Sequence, residues 1–157
     1  MRRLAALAVV ASAALPACGA GGDDPAPAAA DTTVETVADP GTRASFSTDL
    51  TGAAEVPGPG DPDGSGQAMV SLSPGSGEVC LALTLQGVEP TGVLLQEAPA
   101  GESGPVVLAL PLPAEGADGC ASADEQLLVR LEKDPTRFYV NVHSAELPDG
   151  AVRGQLG

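Results

Sequence analysis

From Ala44 to the end of the chain, short segments alternate apolar and polar side chains and are separated by clusters of Gly and Pro. A period of two is typical of strands that bury one face, and this spacing of turns is typical of all-β folds. We therefore predict one all-β domain over residues 44–157, an antiparallel sandwich or barrel. With one Tyr, two Phe and no Trp, its core must consist mainly of Val, Leu and Ala.

The individual elements follow from the same pattern. The predicted strands are 44–50, 67–72, 78–85, 93–96, 106–112, 138–143 and 151–156, with a hairpin turn at 73–77. The exception is Ser122–Lys133, where three leucines at helical spacing predict one short helix that ends before Pro135. Ser122 and Glu125 have the spacing of a capping box.

The N-terminus carries a predicted export signal. Two arginines precede an uncharged apolar run from Leu4 to Leu15, which predicts a signal peptide over residues 1–17. The run is shorter than the ~20 residues that span a bilayer. Leu15-Pro16-Ala17-Cys18-Gly19 resembles a bacterial lipobox and predicts lipid attachment at Cys18. The alternative is an ordinary signal peptide that is cleaved nearby, with Cys18 incidental.

Residues 18–43 are predicted to be a disordered acidic tether. The segment is rich in Ala, Pro, Gly, Thr and Asp, and it contains no Leu, Ile or aromatic residue. Such a composition cannot bury enough apolar surface to offset the entropy of ordering. We therefore expect an exported protein whose domain lies outside the cytoplasm and which contacts the membrane only through the lipid at Cys18.

Cys80 and Cys120 remain once Cys18 is assigned to lipid. Two cysteines in an exported protein usually pair, so we predict a disulfide bond between them. A metal site or a redox pair would need CxxC spacing or additional histidines, and the sequence has neither.

Acidic residues outnumber basic ones by 21 to 7, which gives a net charge of −14. Such a surface repels nucleic acid, which excludes that class of partner. Its ordinary role is solvation, and weak attraction of cations is the alternative.

Two patterns resemble functional sites without completing one. Asp61, Asp63 and Gly64 match the start of a calcium loop, but the twelfth position is Leu72 where a bidentate Glu is needed. We interpret this segment as an acidic loop between strands and leave weak calcium binding at Asp61 and Asp63 open. His143 is the single histidine. A catalytic histidine would need a nucleophile beside it, but Ser144 projects to the opposite face of the strand.

We therefore predict no catalytic residue, no cofactor and no metal site. On the predicted strand 138–143, Phe138, Val140 and Val142 share one face. Tyr139, Asn141 and His143 share the other face and form a candidate surface polar cluster. We interpret His143 as a structural histidine that is hydrogen-bonded beside Tyr139.

Several segments together resemble the CHRD (chordin) domain family, in an order and spacing that are specific. They are 50–57 (Leu-Thr-Gly-Ala-Ala-Glu-Val-Pro), 64–66, 77–80, 104–107 (Gly-Pro-Val-Val), 139–144 and 150–156, so the match runs from about Phe46 to Leu156. The resemblance implies an immunoglobulin-like antiparallel β domain of extracellular proteins, with a binding or structural role, no enzymatic activity and no known ligand. The family usually carries His-x-His before the Gly-Pro-Val-Val motif, but here those positions hold Leu94, Leu95 and Gln96.

Two functions follow as hypotheses. The first is a non-catalytic, membrane-tethered module that binds an extracellular protein or a glycan. The second is a metal-handling protein, or one similar to the copper-zinc superoxide dismutases. A histidine cluster would favour the second hypothesis, and the chain has one histidine.

Overall fold

The computed structural model describes residues 44–114 and 117–157. The predicted signal peptide, Cys18 and the predicted tether lie outside the described residues. The elements, in chain order, are β1 (Ala44–Thr51), β2 (Ser65–Ser73), β3 (Glu78–Gln86), β4 (Pro90–Glu97), β5 (Val106–Leu110), β6 (Gly119–Ser122), α1 (Glu125–Lys133), β7 (Phe138–Ser144) and β8 (Val152–Gln155).

The strands form one antiparallel sheet of eight in the order β5-β4-β7-β8-β1-β2-β3-β6. The two edge strands come close together. A Cβ on Gly119 at the start of β6 would lie 2.1 Å from the carbonyl oxygen of Pro111, just after β5. The sheet is therefore a nearly closed barrel, which confirms the predicted antiparallel all-β class with one short helix near the C-terminus.

The inside of this barrel is apolar, as the period of two requires. In the β2–β3 hairpin, Val70 lies opposite Leu81 and Leu72 lies opposite Val79, and all four side chains are fully buried. From α1, Leu127, Leu128 and Leu131 pack into the same core. A core made mainly of aliphatic side chains from the strands and from α1 therefore holds the domain together.

The helix begins later than the sequence predicted. Ser122 is the last residue of β6, a strand that the sequence pattern did not reveal. Asp124 is the N-cap instead, because its Oδ1 accepts a hydrogen bond from the Leu127 N–H at 2.8 Å. The predicted capping box of Ser122 and Glu125 was thus wrong, since pairing with β3 keeps Ser122 extended.

The disulfide bond between Cys80 and Cys120 is present. The two cysteines lie directly opposite each other on β3 and β6. The bond therefore ties the short edge strand β6, and with it the segment leading into α1, to the long hairpin.

Candidate functional site

The outer face of β4, β7 and β8 carries a row of polar side chains. Cross-strand pairing places Gln96 opposite Tyr139 and Tyr139 opposite Gln155, while Asn141 lies opposite Arg153. Because side chains alternate along a strand, this row points away from the apolar core formed by Val140, Val142 and their neighbours. The sequence predicted that Tyr139 and Asn141 share the face of β7 opposite Val140 and Val142.

Three of these side chains are buried, although they lie outside the barrel, while Gln96 and Gln155 are half-buried. Tyr139 is 1 %, Asn141 4 % and Arg153 2 % exposed. The prediction of a surface cluster was therefore wrong for Tyr139 and Asn141. The reason is tertiary: the loop after β1 and the loop between β4 and β5 contribute residues that bond to this face and cover it.

The loop after β1 contributes Glu55, which is 6 % exposed. Its Oε1 accepts a hydrogen bond from Asn141 Nδ2 at 3.1 Å, across 86 residues of sequence. The same oxygen accepts from the Val56 N–H at 3.3 Å. Burial raises the pKa of the Glu55 carboxyl, while the Val56 N–H, the positive charge of Arg153 and the Asn141 amide oppose that rise.

Gly150 explains how Glu55 fits into this layer. A Cβ at position 150 would lie 2.4 Å from the Glu55 carboxyl carbon, and the backbone there has a φ of +148°. Only glycine combines that space with that conformation. The turn between β7 and β8 therefore presses directly against the buried carboxyl group.

Arg153 connects β8 to the second loop. Its guanidinium carbon lies 3.4 Å from the centroid of the Tyr139 ring, a cation–π contact. Its Nη2 donates to the carbonyl oxygen of Pro99 at 3.5 Å and to Gln155 Oε1 at 3.3 Å. Gln155 Nε2 in turn donates to the carbonyl oxygen of Ala98 at 2.9 Å.

Gln96 and Tyr139 hold the far end of the same loop. Gln96 Nε2 donates to the Gly104 carbonyl oxygen at 3.0 Å, and the Gly104 N–H donates to Tyr139 Oη at 3.1 Å. A Cβ on Gly104 would lie 2.0 Å from the carbonyl oxygen of Glu97, so the loop can approach β4 this closely only at a glycine. This gives a physical role to the first residue of the Gly-Pro-Val-Val segment.

Several polar atoms in this layer remain without a hydrogen-bond partner. Glu55 Oε2, Gln96 Oε1, Asn141 Oδ1, Arg153 Nη1 and His143 Nε2 are buried and unpaired. The hydrogen bond that was predicted for His143 is therefore not formed at Nε2. Unpaired buried polar atoms are uncommon in folded proteins and each requires an explanation.

A cavity of about 610 Å³ opens beside this layer. The residues Val56–Pro59 form one wall and Glu146–Gly150 form another, while Gln96, Ser103 and Asn141 also line it. The cavity thus lies where three loops meet above the polar face of β4 and β7.

The remaining candidate residues are engaged locally. Ser144 Oγ accepts a hydrogen bond from the Leu147 N–H at 3.1 Å, which shapes the turn after β7. Asp61 Oδ1 accepts from the N–H groups of Asp63 and Gly64, both at 3.0 Å, and Leu72 at the twelfth position is buried in the core. These bonds fit the interpretation of 61–64 as a loop between strands.

The residues at the two histidine positions of the family's His-x-His segment, Leu94 and Gln96, lie on this polar face. Leu94 lies opposite Asn141, Gln96 opposite Tyr139, and Gly92 opposite His143. Within residues 44–114 and 117–157, no group of three or more His, Cys, Asp or Glu side chains is arranged to hold a metal ion. None of the helices in that same part of the chain is long and apolar enough to cross a membrane.

Sequence reasoning missed Glu55, Arg153 and Gln155 as members of the layer. All three lie inside segments that carried the family resemblance, the first in 50–57 and the others in 150–156. The available signal was the alternation along β8, which places Arg153 and Gln155 on one face. No local pattern indicates that Glu55 reaches Asn141.

Comparison with known proteins identifies the family of the described domain. The family model of the CHRD domain matches residues 46–156, which spans every strand of the sheet at least in part. The comparisons with curated proteins and with solved structures found no match. On the strength of the family match, this chain belongs to the CHRD domain family.

Proposed function

We propose that this protein is a non-catalytic binding module, tethered outside the cytoplasm by lipid at Cys18, and that its loop-walled cavity is the binding site. The observation that carries the proposal is the buried polar layer beside the cavity. Glu55, Gln96 and Asn141 are each held by a hydrogen bond, and each keeps one buried oxygen unpaired. A site that holds acceptors in place before a ligand arrives loses little entropy on binding.

The family and the chemistry of the layer support binding over catalysis. The CHRD family is generally non-enzymatic. Nucleophilic catalysis needs a hydroxyl or thiol beside a base that a third group orients. Here the Ser144 hydroxyl serves the turn that follows β7, and the cysteines of the described domain are joined to each other.

The disulfide bond supports a location outside the cytoplasm. Disulfide bonds persist in oxidising compartments, so the bond between Cys80 and Cys120 fits an exported protein.

The net charge of −14 disfavours nucleic acid and anionic membrane surfaces as partners. An extracellular protein or a glycan is the partner that we propose.

The binding proposal can be tested by obstructing the cavity. Ser103 lines it and is exposed, so Ser103→Trp should fill part of its volume without disturbing the core. Ser45→Trp is the matched control, because Ser45 is exposed on β1 and does not line the cavity. Both full-length variants, expressed in the host, would be compared with the wild-type protein in affinity capture from cell envelopes.

We expect a partner that the wild-type protein and Ser45→Trp retain and that Ser103→Trp loses. If Ser103→Trp retains every partner that the wild-type protein captures, the cavity is not the binding site.

The tether can be tested at Cys18. Acylation of this cysteine should place the protein in the membrane fraction, with a mature N-terminus at residue 18 and added acyl mass. Replacement of Cys18 by Ser should release the protein or leave it unprocessed. Intact-mass measurement that finds an unmodified N-terminus elsewhere would contradict this part of the proposal.

A further inference from the structure

The two amides on the floor of the cavity have fixed orientations. Asn141 donates through Nδ2 to Glu55 Oε1, and Gln96 donates through Nε2 to the Gly104 carbonyl oxygen. The amide oxygens, Asn141 Oδ1 and Gln96 Oε1, are therefore the atoms left without partners. Asn141 and Gln96 line the cavity, so a group that complements these two amide oxygens from the cavity must donate hydrogen bonds. Glu55 Oε2 is a third unpaired oxygen in the same layer, but Glu55 does not line the cavity.

The charged groups around the cavity also favour a ligand that donates hydrogen bonds and carries a positive charge. Glu146 and Asp149 are exposed on its wall, Glu55 lies beneath Gly150, and no Lys or Arg is among the described residues that line it. Arg153 is the basic group of the layer, and its guanidinium contacts the Tyr139 ring, Pro99 and Gln155. Its Nη1 has no hydrogen-bond partner, but Arg153 does not line the cavity. Among the described residues, the cavity is thus lined by two exposed carboxyl groups and by no basic side chain.

The walls are apolar where the floor is polar. Pro57 and Pro59 lie on one wall, and Leu147 and Pro148 lie on the other. Such surfaces pack against a methylene stem while its charged end reaches a polar site. The cavity therefore offers apolar contacts for a chain and hydrogen-bond acceptors for its head.

We infer that this cavity binds a protonated aliphatic amine, whose ammonium group meets the acceptors of Asn141 and Gln96 beside the carboxylates of Glu146 and Asp149. An ammonium group has three donors and no acceptor, which matches this set of atoms. The amine could come from a lysine side chain of an extracellular protein or from a free diamine. This inference rests on the proposed function and names the chemistry that the cavity recognises.

Calorimetric titration tests the inference on the full-length chain carrying Cys18→Ser, which cannot be acylated at that position. The probes are Nα-acetyl-lysine methylamide, the same compound acetylated at Nε, and cadaverine. We expect the acetylated compound to bind at least about tenfold more weakly, because it has lost the charge and two of the three donors. Stronger binding of the lysine compound indicates a protein partner, and stronger binding of cadaverine indicates a free diamine.

Variants locate the binding. Glu146→Gln with Asp149→Asn should weaken amine binding about three- to tenfold, as expected for two exposed charges. Asp118→Asn with Glu125→Gln makes the same change of net charge at exposed residues that do not line the cavity, and should leave binding unchanged. Gln96→Met removes an acceptor at similar volume and should weaken binding further, with the circular dichroism spectrum as the check on folding.

Three results would overturn the inference: no binding of either amine, equal binding of the Nε-acetylated compound, or equal loss in both charge variants. These results are separable from failure of the proposed function. If amines do not bind while Ser103→Trp still loses an envelope partner, the cavity is a binding site for another ligand class. If Ser103→Trp loses no partner, the cavity does not bind an envelope protein or glycan, and the proposed partner fails whatever the amines do.

Discussion

Strand β7 separates two buried regions that differ in how they are held together. On its inner face, Val140 and Val142 lie in the apolar core of the barrel. On its outer face, Tyr139 and Asn141 are buried almost as completely, but under loops and among hydrogen bonds. Equal burial thus has two origins, one from the strands and one from the loops that cover them.

The two regions differ in what they tolerate. Apolar contacts are non-directional, so a core accepts many combinations of side chains that conserve volume. A buried polar layer is stable only when each donor meets an acceptor. The outer region is therefore the more demanding one, and it also holds the unpaired atoms through which a ligand can be recognised.

The largest expected effect on stability comes from removing the disulfide bond, and it tests whether the two regions unfold together. Replacing Cys80 and Cys120 by Ser removes a bond between residues 40 apart in sequence, which should lower the free energy of unfolding by about 4 kcal/mol. Tyr139 is the only tyrosine and there is no Trp, so its fluorescence reports on the outer layer, while far-UV circular dichroism reports on the strands.

Denaturant curves from the two probes should shift together if the domain is a single cooperative unit. A tyrosine transition that stays in place while the circular dichroism transition moves would show that the layer and the barrel are independent. The wild-type protein under oxidising conditions is the reference.

Truncation of a core side chain should destabilise the domain by removing contacts of the inner region alone. Leu95 is fully buried on β4, and Leu95→Ala should lower the free energy of unfolding by about 3 kcal/mol through lost contacts and a cavity. Leu112→Ala is the control, because Leu112 is exposed and its loss should cost less than about 0.5 kcal/mol. Similar costs for the two variants, measured by urea unfolding, would contradict the assignment of the core.

In the outer region the test is a pairwise one. Asn141→Ala removes the amide that donates to Glu55, leaves that buried carboxyl group with one bond fewer, and should cost about 2 kcal/mol. In a double-mutant cycle with Glu55→Ala, the loss of stability in the double variant should be smaller than the sum of the two single losses by about 1 kcal/mol or more. Strict additivity would mean that the hydrogen bond does not link the loop to β7.

The last effect concerns pH. Burial raises the folded-state pKa of Glu55, so its stability contribution is full below the unfolded pKa and is lost as pH rises through the raised value. Glu55→Gln keeps an acceptor for Asn141 and removes the titration, so its stability should fall less than that of the wild-type protein as pH rises from the acid range toward neutrality. The groups that face Glu55 are Asn141 from β7, Arg153 from β8 and the Val56 N–H of its own loop.

Thermal unfolding across this pH range measures the difference, with Glu102→Gln as the control. Glu102 is exposed, so that variant should follow the wild-type slope. Parallel slopes for the wild-type protein and Glu55→Gln would contradict the raised pKa.

Strand prediction worked where a local pattern was strong. The alternating apolar positions of β2, β3 and β7 indicated both the strands and their buried faces, and the Gly- and Pro-containing turn indicated the β2–β3 hairpin. Strand β6 was missed because four residues, Gly119–Ser122, are too few to establish a period. Their conformation comes from pairing with β3, and because the same pairing keeps Ser122 extended, the N-cap of α1 is Asp124.

The sequence by itself determined the antiparallel class, the two faces of β7 and the pair of cysteines, because alternation and residue chemistry act over a few neighbouring positions. Only the tertiary structure decided that Tyr139 and Asn141 are buried, that Glu55 lies against Gly150, and that a cavity forms above them. These features depend on loops that fold back over a sheet, joining residues as far apart as Glu55 and Asn141. Such contacts leave no periodic signal along the chain, since each one depends on where the whole barrel has placed its partner.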